Sequence, residues 1–197
     1  MKKTLLLIII VALISNNIFY GQETGTFTDS RDGNTYKTVK LGENWWFAEN
    51  LRFKTDNSWA YGDDENNVAL YGRLYTFEAA RKACPAGWHL AKETEWTSLS
   101  SLMDEKKTGG KLKAVDHWEA PNEGADNSLK FNGLPGGYRT PDGKFVDMGK
   151  IAAFWSDTDD ANSNTAWRIY LLYDNTGIMR GMDLKTHGFS VRCVKDK

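Results

Sequence analysis

The chain has 197 residues, of which 25 are lysine or arginine and 26 are aspartate or glutamate, so its formal net charge at pH 7 is −1. No basic block occurs in it, which argues against nucleic acid as a partner, because clustered positive charge supplies most nucleic-acid affinity. The 8 Trp, 8 Tyr and 9 Phe residues can fill a core, and they can also serve as stacking surfaces for sugars.

The first residues predict a secretory signal peptide. Two lysines precede an apolar run from Leu5 to Ile14, and a polar, small-residue stretch follows. This run of ten residues is about half of what a membrane-spanning helix needs, and no second run follows. We therefore expect a signal peptide over residues 1–21, no membrane span, and a protein that is secreted or held at the cell surface. No cysteine lies directly after the run, where a lipid would be attached, so we expect no lipoprotein. The remaining 197 − 21 = 176 residues, 22–197, are expected to form a single domain.

Turn signals after residue 26 predict β-hairpins. Asp32-Gly33 and Gly42-Glu43 are turn pairs, and the intervening TYKTVKL alternates apolar and polar side chains. Residues 52–72 are rich in Asp, Asn and Gly without a helical period, which indicates a surface loop.

Two helices are predicted next. The first covers residues 76–83, with Thr76 as its cap and Pro85 as its stop. A short strand over residues 88–90 separates it from a second helix that begins at about Thr94. The second helix carries an apolar stripe of Trp96, Leu99 and Leu102.

From Gly109 onward the pattern is one of short strands among long loops. Asp142-Gly143 marks a tight turn, while RIYLLY and FSVRCV have the composition of core strands. The order of elements predicts an α+β fold. We expect Trp88, Trp96 and Trp155 to lie in its core.

The two cysteines, Cys84 and Cys193, lie 109 positions apart. A structural metal site needs about four closely spaced ligands, and a redox dithiol needs a C-x-x-C spacing, so neither use fits well. In an exported chain, two lone cysteines most often pair with each other, and this is the favoured interpretation of the three.

An ordered set of motifs resembles the Fibrobacter succinogenes major paralogous domain, a bacterial extracellular domain grouped with C-type-lectin-like folds. The motifs are DGNTYKTVKLGENWWFAENL, YGRLYTFEAARKACPAGWHLAKETEW, LPGGYR, AFWSDT and GFSVRCVKD. The chain departs from the family pattern at Ala91 and Lys92, where Pro-Thr is usual, and in the GENWWFAENL hairpin. The resemblance implies two helices, a small and mostly antiparallel sheet and a long loop-rich region. It also implies a disulfide from the first helix to the last strand.

The same resemblance means that a catalytic function has to be considered, because related folds include formylglycine-generating oxidases and iron-dependent enzymes. Those oxidases need a free cysteine pair, and the iron enzymes need clustered histidines. The three histidines here, His89, His117 and His187, show no H-x-x-H spacing, and we interpret His89 as structural. We therefore expect no enzyme and no cofactor, although a glycosidase carboxylate pair would be invisible in the sequence.

The loop layer, residues 113–165, is the predicted binding region. SDTDDANSN supplies oxygen ligands that suit calcium or a polar ligand, although Asp and Asn also cluster in loops simply because they form turns. An alanine between Glu119 and Pro121 breaks the likeness of EAPNEG to a sugar-binding Glu-Pro-Asn motif. Arg139 in GGYR is expected to donate hydrogen bonds beneath these loops. The candidate ligand-binding residues are Trp118, Asp157, Asp159, Asp160, Asn162 and Trp167.

These features predict a non-catalytic binding or adhesion domain whose ligand is a glycan. The alternatives are a structural domain of the cell envelope that contacts another protein, and an enzyme related to the formylglycine-generating oxidases.

Overall fold

A computed structural model describes residues 22–159 and 163–197, and shows a mixed α+β fold in which sheet predominates. The predicted signal peptide, residues 1–21, lies outside the described residues. Within the described ranges, no helix is long and apolar enough to cross a membrane. The strands are β1 (Thr24–Thr28), β2 (Thr35–Leu41), β3 (Asn44–Phe47), β4 (Ser58–Trp59), β5 (Leu74–Tyr75), β6 (Trp88–Leu90), β7 (Gly136–Arg139), β8 (Phe145–Met148), β9 (Ile151–Asp159), β10 (Thr165–Leu172), β11 (Met179–Leu184) and β12 (Cys193–Lys195); the helices are α1 (Val68–Tyr71), α2 (Phe77–Ala83), α3 (Glu93–Ser100) and α4 (Glu105–Leu112).

Two five-stranded sheets carry the fold. The first has the order β1-β2-β3-β12-β6 and the second the order β11-β10-β9-β7-β8. All pairs are antiparallel except β7 with β9, as the predicted mostly antiparallel sheet requires. The predicted hairpin turns are confirmed at Gly33 and Gly42, whose φ angles of 77° and 61° favour glycine.

The first sheet separates two core clusters. Val39, Trp46 and Val194 are cross-strand partners that share one face, where Trp46 meets Trp96 of α3. Tyr36 and Phe47 lie on the other face and stack at 4.6 Å, in the cluster that also holds the buried side of α2. Both faces of this sheet are therefore covered over much of their area.

The first sheet is strongly curled. Phe27 lies on β1 and Trp88 on β6, at opposite edges, yet their ring centroids are 5.3 Å apart. Four strand spacings in a flat sheet would separate them by about 19 Å. The face that carries Phe27, Phe47 and Trp88 is therefore concave.

The disulfide prediction is confirmed. Cys84, the residue after α2, is bonded to Cys193, the first residue of β12, with Cα atoms 5.8 Å apart. In the chain-entropy model, a bridge across such a long loop stabilises the fold by about 4–5 kcal/mol.

Several predicted elements need correction. Residues 52–72 are not only loop, since two 3₁₀ turns and α1 lie within them. The second predicted helix begins at Glu93, so Thr94 lies inside it, and the Glu95 carboxylate accepts the Lys92 N–H at 2.8 Å in place of a threonine cap. Leu102 lies beyond that helix and is 41% exposed.

Helix α4 was not predicted, because Gly109 and Gly110 are poor helix formers. Close packing requires glycine at both positions. A Cβ added to Gly109 would lie 2.0 Å from the Gly177 carbonyl oxygen, and a Cβ added to Gly110 would lie 2.5 Å from the Gly124 carbonyl oxygen. The described chain therefore has four helices rather than two.

The core tryptophans divide into two groups. Trp96 and Trp155 are fully buried, as predicted, whereas Trp88 is only half-buried. Trp155 Nε1 donates to the Tyr75 carbonyl oxygen at 2.7 Å. Within the described residues, Trp96 Nε1 has no hydrogen-bond partner.

Arg192, rather than Arg139, is the arginine that is buried and donates to several backbone carbonyl oxygens. Its guanidinium donates to the Asn50 Oδ1 atom and to three backbone carbonyl oxygens. Arg139 instead lies over the ring of Trp59 at 4.1 Å, and its buried Nε has no hydrogen-bond partner in the described part of the chain.

We expect Trp155→Phe to lower the free energy of unfolding by about 1 kcal/mol more than Trp96→Phe, because only Trp155 loses an indole hydrogen bond. Denaturant unfolding of both variants with the disulfide intact would measure the difference. Equal losses would contradict this assignment.

We also expect Arg192→Lys to destabilise the protein by about 3 kcal/mol or more, since an ammonium cannot reach four acceptors and leaves buried carbonyls unpaired. Arg139→Lys is the matched control, with an expected loss near 1 kcal/mol, because only a cation–π contact is weakened. Thermal unfolding of the two variants would decide; a larger loss for Arg139→Lys would refute the argument.

Candidate functional site

Trp118 is a packed residue rather than an open platform. It is half-buried, packs against the core, and donates from Nε1 to the Gly133 carbonyl oxygen at 3.1 Å. The Nζ atom of buried Lys113 lies 5.2 Å from its ring centroid.

The acidic residues of the predicted site are paired with cations. Asp157 accepts from Arg81 Nε at 2.8 Å, and Asp159 accepts from Lys185 Nζ at 2.6 Å. The hydrogen bond from Lys185 lowers the pKa of Asp159. Asp160 and Asn162 lie outside the described residues.

The structure does not bring Trp118 together with the other predicted residues. Lys113, beside Trp118, donates to the Leu172 carbonyl oxygen, and Leu172 pairs with the first residue of β9. Asp159 is the last residue of β9. It lies eight residues, or about 26 Å of extended strand, from Ile151 at the start of β9. Trp167 lies near Asp159, half-buried on β10 opposite Met182. Binding by these residues stays a prediction, but Trp118 does not share one site with Asp159 and Trp167.

No group of three or more His, Cys, Asp or Glu residues that could hold a metal occurs in residues 22–159 or 163–197. The two described carboxylates of the predicted calcium loop already have basic partners.

A different surface has partly exposed aromatic rings, and we call this surface the tryptophan cleft. It opens on the concave face of the first sheet, next to the end of α2, and has a volume of about 380 Å³. Trp45 and Trp88 are both half-buried there. The cleft is lined by Gly25, Thr26, Phe27, Thr38, Trp45, Ala86, Gly87, Trp88 and Lys195.

Strand alternation creates this cleft. Successive residues of β3 point to opposite faces, so Trp46 enters the core and Trp45 faces the concave side. Gly25 leaves the ring of Trp45 accessible, since an added Cβ would lie 3.7 Å from Trp45 Cζ3. Trp88 is held in place by Phe47 and Phe27, at centroid distances of 4.6 Å and 5.3 Å. Sequence reasoning missed the cleft, although the pair WW in a strand already implies that one ring faces away from the core.

A second cleft, the histidine cleft, of about 600 Å³, adjoins the first at Lys195. His89 lies in it between two carboxylates: Nδ1 is 2.6 Å from Asp196 Oδ1, and Nε2 is 2.9 Å from Glu95 Oε1. Ser98, also in this cleft, donates its hydroxyl to the Thr94 carbonyl oxygen at 2.8 Å. Because both ring nitrogens already face carboxylates, His89 has none available to activate Ser98 as a nucleophile.

One family model matches the chain. It is described as the Fibrobacter succinogenes major domain and matches residues 39–195. No curated protein and no solved structure matches the chain. The match covers most of the sequence, and the chain belongs to the Fibrobacter succinogenes major domain family.

The buried Lys113 beneath Trp118 predicts a pH effect. Burial lowers the pKa of Lys113 to about 8, while Glu123 and Asp174 act in the opposite direction. Between that pKa and the ordinary value of 10.5, the unfolded chain binds a proton that the folded chain lacks, so the free energy of unfolding rises with pH.

We therefore expect the native protein to gain on the order of 1–2 kcal/mol relative to Lys113→Met between pH 7.5 and 9.5. Urea unfolding of both proteins across that range would measure the gain. A constant difference between the two would show that Lys113 does not titrate there.

Proposed function

We propose that this member of the Fibrobacter succinogenes major domain family is an exported, non-catalytic binding or adhesion domain that binds glycans in the tryptophan cleft. The observation that carries the proposal is the pair of half-buried rings, Trp45 and Trp88, on one concave surface. Aromatic faces stack on the C–H surfaces of sugars. Thr38 and Lys195 line the same cleft, and their hydroxyl and ammonium groups can bond to sugar hydroxyls.

The make-up of the clefts supports a non-catalytic role. The residues that line the tryptophan cleft in the described chain include no carboxylate, whereas most glycosidases need two. Both cysteines are joined in the disulfide, and formylglycine-generating oxidases require them free. His89 has both ring nitrogens engaged by carboxylates.

We propose further that binding needs no resident cation, calcium included. Among the described residues, none that lines the tryptophan cleft is acidic, and Asp157 and Asp159 are each paired with a basic side chain. Calcium prefers several convergent oxygen ligands, which these pairs do not supply.

Export and a C-type-lectin-like fold complete the proposal. The N-terminal composition supports export, and the disulfide is typical of chains that fold outside a reducing compartment. The bridge from the end of α2, which is the first helix predicted from the sequence, to β12 supports the lectin-like fold, in which a disulfide joins the first helix to the last strand.

A structural envelope domain that contacts another protein is the second candidate. It is favoured by strand β11, an edge strand with three exposed apolar side chains. Such patches often mark protein contacts. These residues are Met179, Met182 and Leu184, exposed by 42%, 39% and 42%.

We expect Trp45→Ala and Trp88→Ala each to weaken binding of a neutral oligosaccharide about tenfold or more, a loss of about 1.4 kcal/mol. A glycan array would find the ligand and calorimetry would measure it, with and without a chelator. Trp167→Ala is the matched control, because that ring is also half-buried but lies on the second sheet.

Circular dichroism and thermal unfolding would establish that the variants fold. Loss of binding in Trp167→Ala, with no loss in Trp45→Ala, would contradict the tryptophan cleft and support the binding residues predicted from the sequence. Capture of one defined envelope protein, with no glycan signal, would favour the second candidate.

A further inference from the structure

A third cleft lies beside strand β1, and it differs in charge from the other two. It has a volume of about 560 Å³, within the range of small-molecule sites. No aspartate or glutamate is among the residues of the described chain that line it. We call it the amide cleft, and its lining is Gln22, Thr24, Gly25, Lys37, Thr38, Ala48, Asn127, Lys130 and Asn132.

The ammonium groups of the two lysines of the amide cleft are unpaired in the described chain, while the nearby Glu49 carboxylate accepts the backbone N–H of Lys37 at 2.6 Å and pairs with Arg52. Lys37 and Lys130 are exposed, and neither forms an ion pair within residues 22–159 and 163–197. Lys40 on the same strand shows the contrast, because its ammonium lies 3.5 Å from Glu23. Two unpaired ammonium groups without a carboxylate in the lining favour a negatively charged ligand.

The loop on one side of the cleft is held in an uncommon backbone conformation. Asn127, Lys130 and Asn132 have positive φ angles of 49°, 55° and 54°. Asn127 Oδ1 accepts the Asn132 N–H at 2.9 Å, and the buried Arg192 donates to the Asn132 carbonyl oxygen at 2.9 Å. Such conformations persist only where the surroundings enforce them, and they cluster at binding sites.

This arrangement leaves polar groups available at the cleft. The side-chain nitrogen of Asn127 and the carboxamide of Asn132 make no hydrogen bond with other described residues. Carboxamides both donate and accept, which suits sugar hydroxyls, and threonine hydroxyls do the same. None of the lining residues that the structure describes has an aromatic ring on which a nucleic-acid base could stack.

We propose that the amide cleft binds an acidic sugar unit, whose carboxylate or sulfate contacts Lys37 and Lys130 while Asn127 and Asn132 bond to its hydroxyls. This site is separate from the tryptophan cleft, with which it shares only Gly25 and Thr38. In this proposal the domain has two binding surfaces. The tryptophan cleft stacks on the C–H faces of sugars, and the amide cleft binds the negatively charged groups of acidic sugars.

The test compares three ligands by calorimetry: a tetragalacturonate for carboxylate, a heparin tetrasaccharide for sulfate, and cellotetraose as the neutral reference. We expect the intact domain to bind at least one acidic ligand, more weakly as salt is raised, and the double variant Lys37→Met/Lys130→Met to lose tenfold or more of that affinity. The matched control is Lys82→Met/Lys106→Met, which removes the same charge from two exposed lysines outside this cleft.

Failure of both acidic ligands to bind, or an equal loss of affinity in the control variant, would overturn the proposal. Trp45→Ala separates it from the proposed function: acidic binding that survives Trp45→Ala and is lost in Lys37→Met/Lys130→Met supports the amide cleft, even if no neutral glycan binds. Asn132→Ala, with an unchanged melting temperature, is expected to weaken acidic binding severalfold, and unchanged affinity would contradict the role given to that amide.

Discussion

The buried guanidinium of Arg192 is the interaction on which the rest of the structure depends. It is fully buried, and its nitrogens donate to the Phe47, Phe131 and Asn132 carbonyl oxygens and to Asn50 Oδ1. Burial lowers its pKa to about 9, so it remains charged at neutral pH. A buried charge is tolerated only when its donors are satisfied, so the packed position of Arg192, next to β12, depends on the end of β3 and on Phe131 and Asn132. The next residue, Cys193, fixes β12 to α2. One short segment thus orders the sheet that carries Trp45 and the loop that forms the amide cleft.

The tryptophan cleft follows from the same sheet, because the core can accept only one face of each strand. In β3, Trp46 is buried against Trp96, which obliges Trp45 to face the concave side. Helix α2 covers part of that side, and the curl of the sheet brings Phe27 close to Trp88. What remains uncovered beyond the end of α2 is the cleft. Half-buried rings that are held by their neighbours in the sheet, as Trp88 is by Phe27 and Phe47, need little reordering when a ligand binds, which favours affinity.

Local signals explain how much of this could be predicted from sequence. Three kinds of signal are each decided within a few residues or by cysteine number, and all are confirmed: the glycine turns at 33 and 42, the cap at Thr76 and the paired cysteines.

Helix α4 was missed because the reason for its glycines, close packing on Gly177 and Gly124, lies far away in sequence. The predicted role of Arg139 failed for the same reason, because the carbonyl oxygens that Arg192 satisfies lie far from it in sequence. The acidic loop offered oxygen ligands that would suit calcium or a polar ligand, but the fold pairs Asp157 with Arg81 and Asp159 with Lys185, and no spacing in the sequence shows such neighbours.

Strand β1 links the two proposed binding surfaces. It is an edge strand whose one strand partner in the described chain is β2, and most of its residues are exposed. Gly25, its second residue, lines both the tryptophan cleft and the amide cleft. Edge strands of this kind open more readily than central ones, because they have one hydrogen-bonded neighbour and little buried area. A ligand in either cleft would bind only the docked form of β1 and so stabilise it by mass action. Occupation of one cleft would therefore favour the other without direct contact between ligands, since both draw on the same folded strand.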